Sequence, residues 1–86
     1  MTATEFNTYF THYVPQYPFD NEIDNLVIGE TYRKYHNLGY DTLTFVGLFK
    51  EIETDLIMVC FMREDGSYLA HDAEMYNNRF ALYSIQ

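Results

Sequence analysis

The stretch Leu56-Ile57-Met58-Val59-Cys60-Phe61-Met62, continued by Arg63-Glu64-Asp65-Gly66-Ser67 and Tyr68-Leu69-Ala70, decides how this chain folds. The first segment is an unbroken apolar run of strand length, well short of the ~18 residues that a membrane span requires. Asp65-Gly66 then predicts a tight hairpin in which both turn residues take positive φ. Tyr68-Leu69-Ala70 is its return strand. Upstream, Thr42-Leu43-Thr44-Phe45-Val46-Gly47-Leu48-Phe49 is rich in β-branched and aromatic residues and reads as a further strand. Gly47 in its middle suits the bulge or sharp bend of a barrel corner. Between these two strands, Lys50-Glu51-Ile52-Glu53-Thr54-Asp55 is polar and turns. An earlier strand is expected over residues 28–35, broken by the turn His36-Asn37-Leu38-Gly39. Downstream, Asp72 is placed to cap one helical turn through Ala73-Glu74-Met75-Tyr76, with Asn77-Asn78 ending it. Arg79-Phe80-Ala81-Leu82-Tyr83 alternates and forms a last strand. The expected fold is mainly β with a short N-terminal helix: a five-stranded SH3-like small barrel, whose closure removes exposed edges.

The chain is one domain of 86 residues, with a change of composition near residue 19. Residues 1–19 hold one formal charge, Glu5, and six aromatics, whereas residues 20–86 carry nearly all the charge. No Gly/Ser-rich linker separates the two, so the first part is an arm packed on a barrel of residues 20–86. Phe6, Tyr9, Phe10 and Tyr13 recur at i, i+3, i+4 and i+7, which predicts a helix over roughly residues 3–13. Thr2 or Thr4 caps its start, Glu5 lies in its first turn, and Pro15 and Pro18 end it. The stripe of rings covers one end of the core or grips a partner.

Several of these residues fall in a familiar order. Gly29-Glu30-Thr31-Tyr32-Arg33-Lys34-Tyr35, Val46-Gly47, Glu53-Thr54, the strand through Val59, Gly66, and Glu74-Met75-Tyr76 ahead of Arg79-Phe80 resemble an uncharacterised family of small bacterial and phage domains. The likeness spans about residues 28–83. Lys34-Tyr35 stands where the family pattern has His-Tyr, and Tyr68-Leu69-Ala70-His71 stands where it has Trp-Val-Arg-Pro. The resemblance implies an SH3-like barrel and lends no activity.

Nothing in the chain has the spacing of a catalytic or metal motif. His12, His36 and His71 are far apart in sequence, and His71-Asp72-Ala73-Glu74 is the one dense group of metal-ligand types. It falls at a turn, where such residues serve as caps and solvated groups. Cys60, the single cysteine, lies in the apolar run and is expected to be a buried, unreactive thiol. A lone cysteine also excludes an internal disulfide. The expectation is a protein without enzymatic activity, metal or cofactor. With neither a basic, apolar leader nor a membrane span, the expected location is the cytoplasm.

Acidic residues outnumber basic ones by 13 to 5, a formal charge of −8. This argues against direct nucleic-acid binding, which needs a cationic face. Asp20, Glu22 and Asp24 alternate ahead of the first strand, and Glu51, Glu53 and Asp55 alternate between the second and third. In extended chain such i, i+2 carboxylates stand roughly 6.6 Å apart, close to the spacing of phosphates along a strand. Three readings follow. In the first, these six carboxylates engage a basic protein surface, that of a nucleic-acid-processing host protein inhibited by a phage- or mobile-element-encoded decoy. In the second, Tyr32, Tyr35, Tyr68 and Tyr76 stack on a nucleotide-like molecule while Arg33 or Arg79 meets its phosphate. In the third, the aromatic arm docks on a neighbouring copy and the protein is a structural accessory subunit, a homodimer. Beside all three stands the plainer view that acidic surfaces keep small domains soluble.

Overall fold

A computed structural model describes residues 1–14 and 26–73 and the backbone of the strand Leu82–Ser84. Its elements are a helix α1 (Ala3–Tyr9) and six strands: β1 (Phe10–His12), β2 (Thr31–His36), β3 (Gly39–Glu51), β4 (Ile57–Arg63), β5 (Tyr68–Asp72) and β6 (Leu82–Ser84). All the pairings are antiparallel, in the order β5-β4-β3-β2-β6, with β1 added to β3. The sheet curls into a half-barrel, the small-barrel class expected. Among the described residues it has six strands rather than five, because the arm contributes one of its own.

The curl comes from β3. Its first half pairs with β2 on one side, its second half pairs with β1, and β4 runs along the other side from Leu43 to Lys50. Between the halves the register slips, Phe45 facing Phe61 and Gly47 facing Cys60, so Val46 is the extra residue of a bulge. Gly47 sits there with φ 125°, a region that side chains rarely enter. The slip changes which residues face inward. Leu43 and Phe45 point into the barrel before it, and Leu48 does so after it.

The sheet consequently has a core on each face. Inside the curl, Tyr32, Leu43, Phe45, Leu48, Val59, Phe61 and Ala73 form the larger one. On the outer face, Phe6 and Phe10 of the arm close over Cys60, flanked by Val46, Phe49, Met58, Tyr68 and Ala70. The apolar run of β4 is unbroken for this reason. Val59 and Phe61 serve the inner core, while Met58 and Cys60 serve the outer one.

Four sequence expectations are corrected. The arm helix ends at Tyr9 instead of residue 13, and Phe10–His12 turn extended to pair with Glu51, Lys50 and Phe49. A ladder partner from far along the chain outweighs the local helical period. The strand expected from residue 28 begins at Thr31, because Gly29 takes φ 91° in a turn. The Asp65-Gly66 hairpin forms, but only Gly66 has positive φ. Gly66 N–H donates to Arg63 O at 3.0 Å and Arg63 N–H to Ser67 O at 2.7 Å, the pattern of a type I turn followed by a glycine bulge. Asp72 ends β5 rather than capping a helix. The turn expected over Glu74, Met75 and Tyr76, and the start of the last strand at Arg79, lie outside the described residues; β6 pairs Leu82–Ser84 with Lys34, Arg33 and Tyr32.

Candidate functional site

The end of the β3–β4 hairpin carries three of the acidic candidates. Glu51 closes β3, and residues 52–55 make a compact turn in which Asp55 N–H donates to Glu51 O at 2.8 Å and Glu51 N–H to Leu56 O at 2.9 Å. Thr54 Oγ1 donates to Glu51 Oε1 at 3.1 Å and accepts from Leu56 N–H at 3.3 Å. Asp55 itself is left-handed, φ 59°, the one described non-glycine residue with positive φ. The expectation of an extended row with phosphate-like spacing is therefore corrected for Glu51, Glu53 and Asp55: hairpin closure bends them around a tip. Asp20, Glu22 and Asp24 lie outside the described residues.

The same tip exposes apolar side chains. Ile52 is 55% exposed, Tyr9 50% and Leu56 48%. Ile52 N–H donates to Tyr9 O at 2.9 Å, which fastens the end of α1 to the turn. Exposed apolar side chains and three acidic residues thus meet at one end of the hairpin. The sequence pattern showed the acids but not the apolar half, because Tyr9 joins the tip only through the arm's pairing with β3.

The nucleotide-stacking set does not assemble as expected. Tyr32 is buried in the inner core with its hydroxyl accepting the Val27 N–H at 3.0 Å. Tyr68 stacks on Phe6 under the arm, centroids 4.6 Å apart. Alternation turns Tyr32 away from Arg33 and Tyr35, which face outward on β2, whereas Tyr68 shares their outer face but stands on β5, with two strands between and against Phe6. Tyr76 and Arg79 lie outside the described residues. The structure brings a different tyrosine to Arg33 and Tyr35: Tyr40 of β3. Its ring centroid is 4.3 Å from the Arg33 guanidinium carbon and 5.6 Å from the Tyr35 ring. A hydrogen bond with the Tyr35 side chain holds the Arg33 pKa above its ordinary value. Tyr40 was legible in principle, since the two-residue turn at Asn37-Leu38 puts it directly across from Tyr35.

Beside Tyr40 lies an open cleft of about 320 Å³ between the start of β3 and the β4–β5 turn, lined by Tyr40, Asp41, Thr42, Arg63, Glu64 and Asp65. Asp65 Oδ1 accepts from Ser67 N–H at 2.8 Å and from Ser67 Oγ at 2.6 Å, and these bonds lower its pKa. Asp41 approaches His36 Nε2 at 3.5 Å.

Two groups considered for chemistry are set by burial. The Cys60 thiol is fully covered and its pKa is pushed up to about 12. Burial, assisted by the nearby charges of Lys34 and Arg63, lowers His71 to about 4. Its possible companion Glu74 lies outside the described residues. Among the described residues, no three His, Cys, Asp or Glu side chains gather as a metal site, and no helix is long and apolar enough to cross a membrane. No protein-family model, curated protein or solved structure matches this chain.

Proposed function

We propose that this protein is a non-enzymatic protein-binding module, encoded by a phage or other mobile element, which acts in the host cytoplasm by docking its acidic hairpin tip on a basic surface. A nucleic-acid-processing host protein is the partner of fitting charge, and occlusion of its basic surface is the mode of inhibition. The observation that supports this reading is the tip, where the turn that carries Glu51, Glu53 and Asp55 also carries the exposed Ile52 and Leu56 and is bonded through its backbone to the exposed Tyr9. The carboxylates steer encounter over a screening length of about 8 Å at physiological salt. Burial of the apolar side chains supplies the lasting part, about 1 kcal/mol for each half-exposed aliphatic. Because the carboxylates are bent around a turn, the fit is to a basic protein surface rather than to a channel that reads phosphate spacing.

The test is affinity capture on the tagged protein, with quantitative mass spectrometry of what is retained. A partner of this tip is lost with Glu51→Lys, Glu53→Lys and Asp55→Lys combined, and separately with Ile52→Ser and Leu56→Ser combined. Capture of the same proteins at the same yield by both variants refutes the tip as the interface.

A further inference from the structure

The outer sheet face holds a second feature, independent of the tip. The register pairs Thr31 with Thr44, Arg33 with Thr42 and Tyr35 with Tyr40. Alternation puts all six side chains on the face opposite the inner-core residues Tyr32 and Leu43. In a chain with formal charge −8, this patch contains no carboxylate. Tyr35 and Tyr40 are about half exposed on it, and the Arg33 guanidinium already lies over the Tyr40 ring. An arginine held against a ring loses little side-chain freedom when it meets an anion. Carboxylates lie on the neighbouring rim instead, in the cleft that Tyr40 shares with Asp41, Glu64 and Asp65.

We infer that this patch and its cleft form a binding site for a purine nucleoside monophosphate: the phosphate on Arg33, the base against Tyr35 and Tyr40, and its N–H donors toward the cleft carboxylates. Each part follows from general chemistry. A guanidinium is a strong donor to phosphate, and a base stacks on a tyrosine ring whatever its sequence context. A carboxylate accepts from amino and imino groups of a base edge. The cleft, at about 320 Å³, is at the small end for ligand sites and suits one nucleotide. A longer strand brings further phosphates into the field of an acidic protein, where the cleft lining sets one further cation, Arg63, against the three carboxylates Asp41, Glu64 and Asp65. The occupant is thus a free mononucleotide and not a single strand.

Amide chemical-shift mapping of the full chain tests this directly, with GMP, guanosine and inorganic phosphate as separate probes and a ten-residue thymidine oligonucleotide as a fourth. GMP is expected to bind in the range of about 0.1–1 mM. Its shifts should fall on residues 31–35, 40–44 and 63–65, with guanosine and phosphate each at least about tenfold weaker. Arg33→Met is expected to weaken GMP at least about tenfold, with Arg33→Lys intermediate. Tyr40→Leu gives a second reading should the arginine variants fail to fold. The inference is overturned if GMP leaves these residues unmoved, if Arg33→Met or Tyr40→Leu binds as the parent does, or if the oligonucleotide binds more tightly than GMP.

Discussion

The outer face of the sheet divides into two halves of opposite character. Under the arm, Phe6 stacks on Phe10 and Tyr68 and meets Phe49 edge-on, and together they cover Cys60 completely. Beyond the arm, the β2–β3 hairpin carries Arg33, Tyr35 and Tyr40 on the same face with two of the three side chains about half in solvent. Both halves are aromatic, so composition does not distinguish them. The difference, among the described residues, is that a second element lies on one and not on the other. Aromatic residues serve as core where something covers them and as a contact surface where nothing in the described structure does.

The covered half is the more costly to disturb. Phe6→Ala removes the central ring of the outer core and is expected to destabilise the protein by about 3–5 kcal/mol in urea unfolding; Tyr35→Ala on the open half should change the midpoint far less. Equal losses at the two positions would erase the contrast. Gly47→Ala comes next. Its φ of 125° excludes a comfortable side chain, and the added carbon would stand 3.4 Å from His12 Nε2 of β1. A loss of about 1–3 kcal/mol is expected, accompanied by faster amide exchange across the β1–β3 pairs as the arm loosens. In the opposite direction, Asp55→Gly relieves a left-handed aspartate at the tip and should raise stability by about 1 kcal/mol. That change leaves both halves of the outer face as they are.

A further effect is a pH dependence of the inner core, which lies behind both halves. His71 titrates at about 4 in the folded chain, below its ordinary 6.5. Between those values the unfolded chain takes up a proton that the folded one refuses, so stability falls as the pH drops through that window. His71→Leu should flatten this part of the curve of urea midpoint against pH. An unchanged slope from pH 6.5 to 4 would show that the histidine is solvated in the fold.

Much of the sheet was legible because its signals are local. Asp65-Gly66 marked the hairpin, the glycine in a β-branched run marked the bulge, and the length of the 56–62 run marked a strand. Thr2 also caps α1 as its sequence suggests, its Oγ1 accepting the Glu5 N–H at 3.2 Å. The misplaced end of the arm helix has a cause outside its own sequence. Phe10–His12 is extended because Phe49–Glu51 offers it a ladder, and no window of local sequence contains that partner. The candidate sites followed the same division. Acidic residues are visible singly, but the union of Tyr9 with Ile52, and of Arg33 with Tyr40, depends on pairing across strands. Tyr32 is parted from Arg33 by the two faces of β2, and Tyr68 by the two strands between β5 and β2 and by the arm's Phe6 against it.

The reactivity of Cys60 toward an aromatic disulfide reagent at pH 8 tests the division of the outer face most directly, because this thiol lies beneath the arm and is the chain's only one. In the parent protein the thiol should react only through rare opening of the arm. Phe6→Ala should accelerate the reaction by roughly a hundredfold, the equivalent of about 3 kcal/mol. A parent thiol that reacts as fast as free cysteine would mean that the arm does not cover the sheet, and the contrast between a sealed and an open half would be lost.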